Sequence, residues 1–194
     1  MQTIKLGSKV VVSDPCYKIP TWCQVVIKNV LPGNYKTIVK KSDKGDWGLR
    51  CSVLYAIHED HVLRSRKEMN WKEDPADIGV DSGQAGIFSF DTYRNNTYSD
   101  QIPGNPDPFG DGVDDVKQED RWYYKMCNFT LSEHGWGTYP EGVVSSSGCG
   151  DGSYVLHTAK VKRKIVGFIL NFFMEPIIDF NFLNKQQLEL GHVL

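Results

Sequence analysis

Three aspartates in this chain stand in short turns from which a carboxylate could reach beyond its own neighbours. Asp14 lies in Asp14-Pro15-Cys16-Tyr17 and Asp81 in Val80-Asp81-Ser82-Gly83-Gln84. Asp151 lies in Gly148-Cys149-Gly150-Asp151-Gly152-Ser153-Tyr154, downstream of three serines at 145–147. If the turns met at one rim, the carboxylates could hold a divalent cation, with Asp81 and Asp151 as candidate ligands, or share a proton as an acid/base pair. The plainer alternative is that each carboxylate accepts N–H bonds within its own turn. It is preferred here because such Asx turns need no convergence. Asp151 in particular is expected to select one shape for a glycine turn that is otherwise free to take many.

Ser82, Ser145, Ser146 and Ser147 are candidate nucleophiles, with His134 and His157 as the histidines nearest the glycine turn in sequence. No G-x-S-x-G elbow is present, and the glycine turn lacks the G-K-[ST] of a phosphate loop. Cys149 could be an activated thiol, although a small buried cysteine is the commoner outcome. A nest of N–H groups could cradle an anion there, with Asp151 opposing it. As a binding surface, the same rim offers Asp14, Asp81, Ser82, Ser147 and Asp151, joined by Trp136 and Tyr139 as exposed loop aromatics.

Two further clusters carry weaker signals. His58-Glu59-Asp60-His61 reads as surface before it reads as metal site, because ligands must converge and be oriented. Asp107, Asp111, Asp114 and Asp115 are hard oxygen donors in a turn-rich stretch, but the calcium-loop pattern D-x-[DN]-x-[DN]-G does not fit them. Residues of about 98–118 are expected to be the most mobile segment, an acidic loop with few apolar anchors.

Short alternating runs separated by turn formers must position these residues. Strands are expected at 4–13, 23–30, 35–40 and 48–57, with 23–40 folding as a hairpin about Pro32-Gly33-Asn34 and the chain continuing through a polar turn at 42–46 as an antiparallel meander. Further strands fall on either side of the Asp81 turn, at 142–147, and in a last hairpin of 154–161 and 165–173. Residues 121–129 could begin as a helical turn before becoming a strand. A docked tail or edge strand at 177–182 and a helical turn at 184–190 would end the chain. No long run has 3.6-residue apolar spacing, so the expected fold is one mostly β domain over 1–194, an antiparallel β-sandwich or open barrel.

Composition suits that fold: 194 residues with 40% hydrophobic and 24% charged content allow one sizeable core. A net charge of -2 and a pI near 6.2 argue against a broad basic nucleic-acid surface. Lys160, Lys162, Arg163 and Lys164 read as a solvated strand edge. The apolar run 165–174 is short of the roughly 20 residues a membrane helix needs. The first residues show no apolar leader, and five scattered cysteines form no C-x-x-C pair. A cytoplasmic protein with reduced thiols and no membrane attachment is expected.

In order, the D-P-x-Y, V-D-S-G and G-x-G-D-G-x-Y turns resemble domain of unknown function 4241, over about residues 8–173. The resemblance implies a fold and a phage or bacterial origin, and it brings no reaction. Two function classes follow: a non-enzymatic domain binding a protein or small molecule through the rim, or a hydrolase-like, metal-dependent enzyme built on the aspartate turns.

Overall fold

The computed structural model describes residues 1–64, 66–96, 102 and 117–178. The segment expected to be mobile falls almost wholly outside the described residues, with its four aspartates, as does the helical turn expected at 184–190. The chain is mostly β, as expected: twelve strands and two helices among the described residues. They are β1 (Gln2–Leu6), β2 (Lys9–Ser13), β3 (Val25–Lys28), β4 (Gly33–Asp43), β5 (Leu49–His58), α1 (Arg66–Met69), β6 (Trp71–Glu73), β7 (Ile78–Val80) and β8 (Gln84–Ser89). After these come α2 (Arg121–Thr130), β9 (Trp136–Tyr139), β10 (Gly142–Ser146), β11 (Gly152–Val161) and β12 (Lys164–Asn171).

Two antiparallel sheets form a sandwich. One has the order β1-β4-β5-β12-β11-β6 with β7 also paired to β11, and the other has the order β3-β2-β8-β10-β9. Alternation along each strand sorts the side chains. Val10 and Val12 of β2, Leu54 and Ala56 of β5, and Phe168 and Leu170 of β12 meet between the sheets. Val53, Tyr55 and Ile57 face the other way, under Met69, Trp71, Ile177 and Ile178. On the second sheet Val11, Phe88 and Val144 lie under Trp122 and Met126 of α2. Both faces of the central strands are therefore buried, which makes them read as continuous apolar runs.

Several expectations are corrected. Residues 4–13 form two strands in different sheets, because the chain changes sheet at Gly7 and Ser8. Residues 23–40 are not a hairpin: β3 pairs with β2, while β4 pairs with β1 and β5. Between them Asn29 takes φ 61° and the Leu31 N–H donates to the Ile165 carbonyl at 2.8 Å, carrying the chain across. Residues 121–130 stay helical throughout, since Trp122, Met126 and Cys127 give α2 one buried face. Trp136 and Tyr139 lie on a strand, not in a loop, and Gly137 within it admits the Phe129 ring of α2. The β4–β5 and β11–β12 hairpins are as expected. No helix of the described residues is long and apolar enough to cross a membrane.

Glu175 fastens the chain after β12 to the β4–β5 hairpin. It pairs with Lys40 and, at 2.9 Å, with Lys44, while the Asn171 side chain holds its backbone N–H and carbonyl at 2.9 and 2.8 Å. Burial works to raise the Glu175 pKa, but hydrogen bonds from Lys40, Ser42 and Lys44 outweigh it and hold it down at about 2, against an ordinary 4.5. A depressed carboxyl stabilises the fold fully above its unfolded pKa and loses that contribution as pH falls through the folded one. The stability difference between wild type and Glu175→Gln, measured by urea denaturation, should therefore be constant above about 4.5 and shrink towards pH 2. A difference that ignores pH over that range would contradict it.

Candidate functional site

The three aspartate turns do converge, at one end of the sandwich. Strands β7 and β11 pair in the first sheet, where Val80 faces Gly152, and β8 and β10 pair in the second, where Gln84 faces Ser146. The two chains thus cross between sheets side by side, through residues 81–83 and 147–151. The ladder is interrupted there, and its polar groups need other partners. Gly83, Gly148 and Gly150 take φ of 67°, 56° and 107°, which explains the glycines. The Ser147 N–H donates to the Gly83 carbonyl at 3.0 Å, and the Gly83 N–H donates to the Asp151 carboxylate at 3.1 Å. Tyr154 closes the second turn, its hydroxyl donating to the Ser147 and Gly150 carbonyls at 2.8 and 2.7 Å.

Asp14 joins the third turn to this pair. It is fully buried (0% exposed) at the end of β2, and its carboxylate accepts four hydrogen bonds. Oδ1 takes the Cys16 N–H at 2.8 Å and the Ser82 hydroxyl at 2.6 Å; Oδ2 takes the Asp81 and Ser82 N–H groups at 2.9 and 2.7 Å. The Tyr17 hydroxyl answers from the same loop, donating to Asp81 Oδ2 at 2.6 Å. Behind it, Tyr93 donates to the Asp14 and Tyr17 carbonyls and Arg94 to those of Pro15 and Cys16, while Arg94 also pairs with Asp120.

The preferred reading, in which each carboxylate serves its own turn, is thus only partly right. Of Asp14's four donors, one is local and three belong to the Asp81 turn. The local shape of the Asp151 turn comes from Ser147, Tyr154 and glycine, with Asp151 itself exposed and reaching across to Gly83. Tyr17 and Tyr154 stand inside the sequence motifs that marked these turns, whereas Tyr93 and Arg94 carry no sequence signal.

This arrangement limits the chemistry open to each residue. Ser82 gives its hydroxyl proton directly to Asp14, with no imidazole between. Ser145 and Ser147 are buried and spend their hydroxyls on the Ser146 and Gly150 carbonyls. His134 is exposed before β9 and His157 lies on the outer face of the first sheet; among the described residues no histidine bonds to a serine. Burial, followed by the adjacent Asp14, pushes the Cys16 thiol up to about 12, so it stays protonated. The Tyr17 phenol is pushed up by burial and by its bond to Asp81, and remains a neutral donor. Cys149 is exposed.

As ligands for a divalent cation the carboxylates fit unequally. Asp14 is saturated by donors, whereas Asp81 and Asp151 each keep one oxygen without a protein hydrogen bond. No group of three His, Cys, Asp or Glu side chains comes together among the described residues, and this includes His58 and His61. His58 is buried against Tyr35 instead, with ring centroids 5.2 Å apart.

Trp136 and Tyr139 are not an exposed pair. Tyr139 is 5% exposed, within the aromatic cluster under α2, and Trp136 packs partly buried on the main core. A scan against protein-family models and searches of curated proteins and of solved structures each found no match to this chain.

The clamp can be tested by substitution. Asp14→Ala leaves buried N–H donors without a partner, each costing about 1–3 kcal/mol, so a loss of at least about 3 kcal/mol is expected in urea denaturation. Asp14→Asn should also be severe, because its amide NH2 would face donors. Asp151→Asn, at an exposed site with one bond, should cost less than about 1 kcal/mol. Equal losses at both positions would contradict the assignment.

Proposed function

We propose that the protein is a non-enzymatic binding domain whose working surface is the loop-bearing end of the sandwich held by Asp14. One observation carries this reading. Of eight large apolar side chains exposed among the described residues, six lie at this end, in its loops or at the first residue of β5: Ile19, Trp22, Trp47, Leu49, Leu131 and Met174. The loops are linked, since Phe173 lies against Gly148 and under the Lys44 ammonium, 4.3 Å from the ring centroid. Trp22 is 95% exposed, yet its loop is braced. The Thr21 hydroxyl donates to the Lys18 carbonyl, and the Thr21 N–H donates to Gln24 Oε1, whose side-chain amide in turn donates to the Ser13 hydroxyl. A tryptophan presented on a fixed loop is the kind of anchor that dominates protein interfaces, because little ordering entropy is lost on binding. The partner that suits an exposed apolar rim is another protein.

The likeness of the three turns to domain of unknown function 4241, and with it a phage or bacterial source, belongs to this proposal. So does a cytoplasmic setting, supported by five free cysteines of which Cys23, Cys51 and Cys127 are buried as plain packing residues. The test is affinity capture with wild type, Trp22→Ala, Trp47→Ala and the control Leu63→Ala, exposed at the opposite end of the sandwich, followed by binding of the purified partner. Loss of either tryptophan should weaken binding by at least about tenfold with unchanged melting, while Leu63→Ala leaves it intact. Binding indifferent to both tryptophans, or lost with Leu63→Ala alone, would contradict the proposal.

A further inference from the structure

A cavity of about 490 Å³ opens on the outer face of the first sheet, well away from the aspartate corner. Its size lies in the range of small-molecule sites, about 300–1,000 Å³. Lys67, Asn70, Trp71, Glu73, His157 and Ile177 line it. The topology explains the grouping. Strand β6 runs beside β11 with Glu73 opposite His157 and Trp71 opposite Ala159, and α1 leads into it, which brings Lys67 and Asn70 to the mouth. Gly167 of β12 lets the Trp71 ring approach the sheet closely, where a Cβ would stand 2.6 Å from it. Ile177 supplies apolar surface from the chain that returns across this face.

Three features of the lining point to a ligand. Lys67 and Glu73 bring opposite charges to one cavity, and neither has an ion-pair partner among the described residues. The Nδ1 of His157, on the lining of the cavity, is buried without a hydrogen-bond partner. Burial also holds the imidazole below its ordinary pKa, with Glu73 working against it, so a neutral ring lines the site near pH 7. Trp71 and Ile177 then offer an apolar wall. A purely cationic or anionic ligand would meet one like charge here, whereas a molecule carrying both would find each charge matched.

We propose that this cavity binds a free α-amino acid with an apolar side chain, its carboxylate at Lys67, its ammonium at Glu73 and its side chain against Trp71 and Ile177. The site is independent of the rim proposed for protein binding. It can be tested on the full chain by NMR titration with L-phenylalanine and L-leucine, following the Trp71 indole and the His157 ring. The comparators are N-acetyl-L-phenylalanine, which lacks the ammonium, and L-phenylalanine amide, which lacks the carboxylate. Both amino acids should give saturable shifts at Trp71 and His157, and each blocked form should bind about three- to tenfold more weakly. Lys67→Gln should weaken L-phenylalanine by a similar factor without affecting the amide, and Glu73→Gln should do so without affecting the N-acetyl form. Both substitutions are at exposed positions that the fold tolerates. No saturable shift with either amino acid up to about 10 mM, equal binding of the blocked forms, or variants that act alike on all ligands would overturn it.

Discussion

A buried carboxylate with four donors holds this fold's end together. Two neighbouring chains leave one sheet and enter the other there, and a crossing breaks the backbone ladder on both. Backbone groups that lose ladder partners inside a protein must find others or cost about 1–3 kcal/mol each. Asp14 answers this from a third loop: it takes the Asp81 and Ser82 amides and the Ser82 hydroxyl, and adds its own Cys16 amide. The Gly83–Ser147 and Gly83–Asp151 contacts join the two crossings to each other. Three loops become one rigid unit by this means.

That rigidity links fold to function. Side chains used up inside the clamp are poorly placed for chemistry, because their lone pairs and protons are already committed. The proposed binding falls to the residues the clamp carries outward, Trp22 above all, on a loop braced by Thr21 and Gln24. Stiff loops presenting apolar side chains lose little entropy when a partner arrives. The outer face of the first sheet is a separate matter, since Trp71, His157 and Lys67 owe their positions to β6 and to the close approach that Gly167 allows.

Much of the architecture was legible in the chain, and the failures have physical causes. Alternation and turn formers identified the β class and both long hairpins. Hairpin logic failed at 23–40 because a Pro-Gly turn signals a reversal without saying which sheet the next strand joins. At Gly7 a strand-like run hides a change of sheet, since Ile4 and Leu6 before it and Val10 and Val12 after it all face the same core. Gly137 marks a close approach to Phe129, which in the sequence looks the same as a loop glycine. At the site, the three motifs mark the turns themselves, because glycine and Asx chemistry is local, but not that the turns meet. The cross-turn bonding of Asp14 was not visible, for it depends on two crossings lying side by side. Trp136 and Tyr139 read as surface in the sequence, which shows aromatic character but not which face α2 covers.

The clamp makes a quantitative demand on two positions 68 residues apart in the chain. A double-mutant cycle of Asp14→Ala and Ser82→Ala in urea denaturation isolates the coupling between the first loop and the second. Residues that share one hydrogen-bonded network should be coupled by about 1–3 kcal/mol, with Ser82→Ala costing far less once Asp14 is gone. Additivity to within about 0.5 kcal/mol would show that the loops are held independently, and that Asp14 does not tie them together.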